Sequence, residues 1–352
     1  MLEVKKEGVI LNKTALGFEN EGVLNPAVIR EGNNVYMYYR AVSKGNYSSL
    51  GYCKLSDPIT VSERSDMPVL FSQFDYESHG VEDPRIVKID DLYYLTYTAY
   101  DGVNALGALA TSKDLVTFEK QGIIVPQVIY EDFHRLATFQ TPINEKYLRY
   151  NGLNPLFVAL NKSKKIFVWD KNVVFFPRRI NNKLFFLHRI KPDIQIVCVN
   201  ELSELTKDFW DNYFMHLDNN IVLTPKCDHE ISYIGAGCPP IETKHGWLII
   251  YHGVHDSAIG YVYNACAALL DLENPQKEIA RLPVPLFKPE EEWELQGEVH
   301  NVCFPTGAAL FGDKLYIYYG AADERIACAS VSLSALLAEL LACQENHASL
   351  TI

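Results

Sequence analysis

GVEDPRIVKIDDLYYLTYTAYDG, residues 80–102, opens with an acid–proline–arginine approach, turns at Asp90-Asp91, runs on as an aromatic and β-branched strand, and ends in Asp101 beside glycine. Two apolar runs on either side of a short polar turn are the signature of a β-hairpin. The same pattern recurs in GNNVYMYYRAVS from Gly32, NNKLFFLHRIKP from Asn181, KHGWLIIYHGVH from Lys244 and GDKLYIYYGAAD from Gly312. Proline-marked approaches precede all five copies: NPAVIR (25–30), EDPRIVK (82–88), FPRRIN (176–181), CPPIETK (238–244) and FPTGAAL (304–310). Four copies continue into a strand of small residues, as in LGYCKLSD, LGALATSKD, YNACAALLDLENP and IACASVSLS.

A unit of three strands and two turns, repeated at spacings of about 60 to 90 residues, suits four-stranded propeller blades with loop insertions. The expected fold is therefore all-β, a five-bladed β-propeller forming one catalytic domain over residues 1–352, with a β-sandwich as the alternative. Residues 121–170 break the pattern and read as an insertion between the second and third units, bordering the site or making an oligomer contact. LSALLAELLACQ (333–344) reads as a short C-terminal helix with Ser332 or Ser334 as its N-cap.

The chain has 352 residues, 48% of them hydrophobic and 12% aromatic, enough for a large core. It lacks both the roughly 18 continuous apolar residues of a membrane span and, in MLEVKKEGVILNKTALG, the apolar run of a secretory signal. A cytoplasmic protein without membrane contact is expected. The eight cysteines (53, 198, 227, 238, 266, 303, 328 and 343) form no CxxC pair, and several lie in apolar runs, so buried free thiols in a reducing compartment are expected. A net charge of −12 disfavours nucleic acid and anionic membrane as partners. PRRINNK (177–183) and HRIKP (188–192) are the places to look for a local basic pocket, and the histidines show no metal-ligand spacing, so no metal is expected.

In a propeller, equivalent strand ends meet around one mouth of the axial channel. That gathers Arg40, Tyr100 with Asp101, His188 with Arg189, Tyr251 with His252, and Asp323, while the approaches add Asn25, Asp83 with Arg85, and Glu230 with Tyr233. Carboxylates, cations and aromatics around a funnel suit a polyhydroxylated ligand with one anionic group, a sugar or sugar phosphate. Taken singly, each of these residues reads as a structural ion pair, and Asp83 and Arg85 around Pro84 read equally well as braces of a turn. Asp101 follows a buried strand directly, so it is expected at the bottom of the funnel, where desolvation raises a carboxyl pKa and suits an acid.

NPAVIR with YYRA, GVEDPRIV with YYLTYTAYDG, FFPRRINNKLFFLHR, YIGAGCPPIETKHGWLIIYHGV, and GEVHNVCFPTG with YIYYGAADERIACA resemble glycoside hydrolase family 130, the β-mannoside phosphorylases and related β-mannosidases, from about Asn25 to Ala329. The resemblance implies a five-bladed propeller with the site in its funnel and a single catalytic acid, which falls on Asp101 with Tyr100 beside it. Asn25, Arg40 and Asp323 fall on positions that hold the mannosyl unit, and Asp83, Arg85 and Tyr100 are counted with them as substrate-binding. Inversion is implied: the acid acts on the glycosidic oxygen through the mannosyl 3-hydroxyl while the nucleophile attacks from the opposite face.

Phosphate-binding positions of the family fall on Lys171, with Asn172 beside it, and on Arg189, Tyr233 and His252. The family pattern prefers arginine at the Lys171 position and lysine at the Tyr233 position. Lysine keeps the charge of arginine without its bidentate geometry, and tyrosine keeps one donor without the charge. Lys171, Arg189 and His252 leave three cations to hold phosphate, so a glycosyltransferase-type phosphorolysis to mannose 1-phosphate is the preferred reading, with no cofactor and inorganic phosphate as co-substrate. An inverting β-mannosidase with Glu230 as base, a non-catalytic sugar-binding propeller and a furanosidase of another five-bladed family are the alternatives. The expected partner is a β-linked manno-oligosaccharide or mannosyl-glucose; the resemblance also makes a homo-oligomer an expectation.

Overall fold

A computed structural model describes residues 2–140, 142–152, 155–161 and 163–349. The chain is mostly β and runs as five antiparallel meanders in sequence order. The first contains Gly22–Glu31, Asn34–Ser43, Tyr47–Leu55 and Val61–Arg64; the second Gly80–Ile89, Leu92–Tyr100, Ala105–Ser112 and Glu119–Ile123. Lys171–Phe175, Leu184–Arg189, Ile194–Val199 and Ile221–Leu223 form the third. In the fourth, Tyr233–Ala236 and Ile241–Thr243 both pair with Gly246–Ser257, followed by Gly260–Leu270 and Glu278–Arg281. Cys303–Phe311, Lys314–Ala321 and Arg325–Ser332 make the fifth, whose outermost strand is the N-terminal Val4–Leu11, antiparallel to Arg325–Ser332. One parallel bridge, Ser48 to Gly80, joins the first two meanders, and a side chain at Gly80 would come within 2.9 Å of the Ser48 Cβ.

Hairpin turns are set by residues that accept positive φ: Gly32 at 62°, Asp90 at 54°, Asn182 at 63° and Gly312 at 60°. Because the central strands are covered on both faces, they read as continuous apolar runs. Their side chains fill five clusters, each between consecutive sheets. Tyr38 and Leu50 meet Val81 and Leu95; Val87 and Leu109 meet Val173 and Phe186; Val174 and Leu187 meet Trp247 and Ile249. Leu248 and Ile250 meet Leu315 and Ile317, and Tyr318 with Cys328 returns to Met37 and Val23 of the first sheet. The last of these clusters packs the fifth sheet against the first.

Several expectations shift. The inner strand of the third unit is Lys171–Phe175, not FPRRIN, which forms the bend and turn after it; Ile194–Val199 is that unit's third strand. The break expected at 121 falls inside the outer strand Glu119–Ile123, after which the chain forms helices Tyr130–Ala137, Glu145–Tyr150 and Pro155–Leu160; Phe133, Leu136 and Tyr147 pack into the cluster between the second and third sheets. Helix Lys207–Met215 was not legible in the sequence, being short; Thr206 Oγ1 accepts from Phe209 N at 3.3 Å and starts it. The C-terminal helix runs from Leu333 to Ser349, and Ser332 caps it, accepting from Ala335 N at 3.1 Å. All eight cysteines are free and five are buried. Among the described residues no helix is long and apolar enough to cross a membrane. PRRINNK forms no pocket: Arg178 pairs with Glu242 at 2.7 Å and Arg179 with Glu201 at 3.1 Å.

Candidate active site

The inner strands of the first three sheets each slip register, between Leu24 and Ala27, Glu82 and Arg85, and Lys171 and Val174. Within these bulges Asn25, Asp83 and Asn172 take φ of 50°, 47° and 57°, a left-handed conformation that Asn and Asp accept more readily than other residues bearing a side chain. The bulges bring inner strands together: Asn25 Nδ2 donates to Asp83 Oδ1 at 2.7 Å, from the first sheet to the second.

Across each inner strand, the central strand places one residue opposite: Arg40 facing Leu24, Thr98 facing Glu82, Arg189 facing Lys171, His252 facing Gly235 and Gly320 facing Phe304. Neighbours along a strand point to opposite faces. The preceding residues, Tyr39, Tyr97, His188, Tyr251 and Tyr319, therefore turn away from this set, and each bonds to a buried acid. Tyr39 donates to Glu19 at 2.8 Å, Tyr97 to Glu77 at 3.0 Å, Tyr251 to Glu230 at 2.7 Å and Tyr319 to Glu294 at 2.5 Å, while His188 Nδ1 lies 2.8 Å from Asp170. Arg64, Lys120, Arg281 and Lys6 pair with the four glutamates. His188, Tyr251 and Glu230, expected in the funnel, thus belong to its supporting layer. Glu230 Oε1 accepts from Arg281 at 2.7 Å and from Lys226 N at 2.9 Å, and Oε2 from Tyr251 at 2.7 Å, so neither oxygen is free to activate water.

One side of the site is acidic. Arg40 pairs with Glu82 at 2.8 Å and lies 3.6 Å from Asp83, and Lys171 Nζ stands 3.7 Å from the other Glu82 oxygen. Burial pushes the Asp83 carboxyl up, but Arg40, Lys171, the Asn25 hydrogen bond and Arg85 outweigh it and hold it below the usual range. Asp323 goes the other way: burial raises it to about 6, opposed by Arg40 and Lys171 and reinforced by Asp83 and Glu82. Arg40 and Asp323 line a cavity of about 470 Å³ with Leu24, Lys44, Asn46 and Val299, a size suited to a small ligand. Asn25 Oδ1 is buried without a partner, and a Cβ on Gly320 would lie 2.1 Å from it.

The other side is basic. Arg189 Nη1 is 3.3 Å from His252 Nε2, and Lys191 Nζ sits 3.8 Å from the centre of the Tyr233 ring. Tyr233 shares a 2.6 Å hydrogen bond with Tyr263. No ion pair among the described residues includes Arg189 or Lys191. Burial, then Arg189, Arg85 and Lys191, hold the His252 imidazole neutral, so the three cations expected from the sequence become two, Lys171 and Arg189. Lys191, in the expected basic segment HRIKP but not singled out there, is brought down to about 7 by burial and by repulsion from Arg189 and Lys171. Asn172 Oδ1, Arg189 Nε and His252 Nδ1 are buried with no partner, which marks a place built to bind a polar molecule. Arg85 is a brace rather than a ligand contact: its guanidinium donates to the carbonyls of Gly237 at 2.6 Å and Asp83 at 2.9 Å, tying the second sheet to the fourth.

Asp101 is partly exposed at the end of its strand, three residues beyond Thr98. Its surroundings are not the dry pocket expected. Oδ1 accepts from the amides of Val103 at 2.8 Å and Asn104 at 2.6 Å, and Lys164 stands 3.5 Å from Oδ2. Tyr100 donates to the Gly102 carbonyl at 3.0 Å, with Trp169 edge-on to its ring. Lys164 and Trp169 come from the end of the helical segment, which therefore borders the site. No repeat pattern marked either residue.

Residues 12–341 match a family described as β-1,4-mannooligosaccharide phosphorylase. A 1,2-β-oligomannan phosphorylase of Thermoanaerobacter sp. (strain X514) is 32% identical over 349 residues, covering 95% of this chain and 98% of its own. A β-1,2-mannobiose phosphorylase of the same strain is 34% identical over 331 residues, covering 89% and 91%. In fold, the chain superposes on the β-1,2-mannobiose phosphorylase from Listeria innocua, in complex with β-1,2-mannobiose, with a TM-score of 0.71 at 22% identity, over 96% of this chain and 99% of that one. On the family match and the identity of these full-length relatives, the chain belongs to glycoside hydrolase family 130.

Proposed function

We propose that this protein is an inverting β-mannoside phosphorylase that converts a β-1,2-linked manno-oligosaccharide and inorganic phosphate into mannose 1-phosphate and a shortened acceptor. The observation that carries it is the division of the site: Arg189 and Lys191, which make no ion pair among the described residues, lie with unpartnered buried polar atoms beside an acidic half that suits sugar hydroxyls. The β-1,2 linkage is proposed from the names of the relatives that align over nearly the whole chain.

In this reading Asn25, Arg40 and Asp323 hold the mannosyl unit, Tyr100 flanks it, and Asp83 sets Asn25 and Arg40 in place. Asp101 gives its proton to the mannosyl 3-hydroxyl, which passes its own to the glycosidic oxygen. The C1–O bond breaks with its electron pair going to that oxygen, and a phosphate oxygen held by Lys171, Asn172, Arg189, Tyr233 and His252 bonds to C1 from the opposite face. Hydrolysis through Glu230 is disfavoured by that carboxylate's bonds to Arg281 and Tyr251. The same reading takes the five sheets as blades of a five-bladed β-propeller with the site on its axis, supported by the five inter-sheet clusters and by the N-terminal strand completing the fifth sheet. Incubation with β-1,2- and β-1,4-mannobiose, with and without phosphate, tests it. Mannose 1-phosphate formed only with phosphate is the expected product, and free mannose at a rate indifferent to phosphate would overturn the reading.

A further inference from the structure

We infer that Lys191 is a phosphate-binding residue, the second unpaired cation of the anion site; the inference rests on the phosphorolytic reading above. The cations nearest the anion site are unequal. Lys171 is shared with Glu82 at 3.7 Å, and the His252 ring is held neutral by burial and by Arg189, Arg85 and Lys191. Arg189 alone would then face a phosphate dianion. Lys191 lies two residues further on, its ammonium 3.8 Å from the centre of the Tyr233 ring and 6.0 Å from that of Tyr150. Ring faces favour the charged form while leaving N–H donors free for an incoming anion. The backbone around Lys191 is fixed: Asn151 Nδ2 donates to its carbonyl at 2.7 Å, and the next carbonyl, of Pro192, accepts from Ile234 N at 2.9 Å. Among the described residues it makes no ion pair, so no carboxylate has to be displaced when phosphate arrives.

Tyr233 then acts by position rather than by charge. Its ring supports the ammonium and its hydroxyl is engaged with Tyr263 at 2.6 Å. Because burial and the neighbouring cations lower the Lys191 ammonium to about 7, phosphate binding at higher pH must take up a proton there.

The test compares wild type with Lys191→Ala and Lys191→Arg, measuring KM for phosphate, KM for mannobiose and kcat between pH 6 and 8.5. Lys191→Ala is expected to raise the phosphate KM roughly ten- to a hundredfold, the range for losing a hydrogen bond to a charged group, with the mannobiose KM little changed. Wild type is expected to show a rise in phosphate KM above pH 7, and Lys191→Arg, which stays charged throughout, to restore most of the phosphate affinity and flatten that rise. A phosphate-dependent wild type whose phosphate KM is unaltered in Lys191→Ala, or whose pH profile is unaltered in Lys191→Arg, would overturn the assignment alone. A wild type that turns over without regard to phosphate would overturn the phosphorolytic reading, and the assignment with it.

Discussion

Asp323 carries the most informative charge of the site. Arg40 is already matched by Glu82 and approached by Asp83, so Asp323 is the surplus carboxylate, and its pKa rises to about 6. Between about pH 4 and pH 6 the folded protein holds a proton that the unfolded chain, with an ordinary carboxyl near 3.9, has released. Stability contributed by this group is therefore lost as pH rises through that window. Asp323→Asn is expected to stabilise the empty enzyme at pH 7 by about 1–2 kcal/mol, discounted for partial exposure, and by nothing below about pH 4. Thermal melts across this range check the expectation, and an equal shift at every pH would contradict it. The same variant should lose activity, since it removes an acceptor for sugar hydroxyls. Asp101→Asn should lower turnover by about a hundredfold or more with the melting temperature nearly unchanged, as fits a proton donor at a strand end; mannose 1-phosphate release measures it.

At the scale of the element, the repeat is more than a hairpin. Each central strand presents a residue to the site and, one position earlier, a tyrosine or histidine to a buried acid behind it. In three units the acid also satisfies backbone amides of a short turn, as Glu77 and Glu230 do and as Glu294 does for Glu290 and Glu291 at 2.9 and 3.0 Å. This fixes the strand where its side chains must be accurate. Tyr251→Phe leaves Glu230 Oε2 without its donor in a dry setting and is expected to cost about 1–3 kcal/mol in urea unfolding. It should also weaken phosphate binding, because His252 is the next residue. Unchanged stability would mean that the acid layer is ornamental.

At the scale of the whole molecule, the ends of the chain meet in the fifth sheet. Val4–Leu11 supplies its outer strand, and Lys6 from that strand pairs with Glu294, itself bonded to Tyr319 of the central strand. Removing one partner of a buried pair strands the other. Lys6→Ala is expected to lower stability by about 3 kcal/mol or more, read from urea denaturation, although Lys6 is no site residue. A loss below about 1 kcal/mol would show that this strand contributes little to the fifth sheet.

The sequence by itself determined the five hairpins, the residue types at their ends and the family, because turns and strand periodicity are local and the motifs are distinctive in order. Asp101, Arg40, Asp323 and Arg189 were legible as polar residues closing apolar strands, and Asn25 as a polar residue of an approach. Which member of each neighbouring pair faces the site was decided by register: His188, Tyr251 and Glu230 looked like site residues because adjacent positions are equally polar in the string, yet a strand sends them to opposite faces. FPRRIN looked like an inner strand because its proline matched the other copies, whereas pairing to the central strand selected Lys171–Phe175. Only the tertiary structure decided that His252 is neutral and that Lys191 joins the basic half, because burial and the sum of neighbouring charges come from sheets distant in sequence.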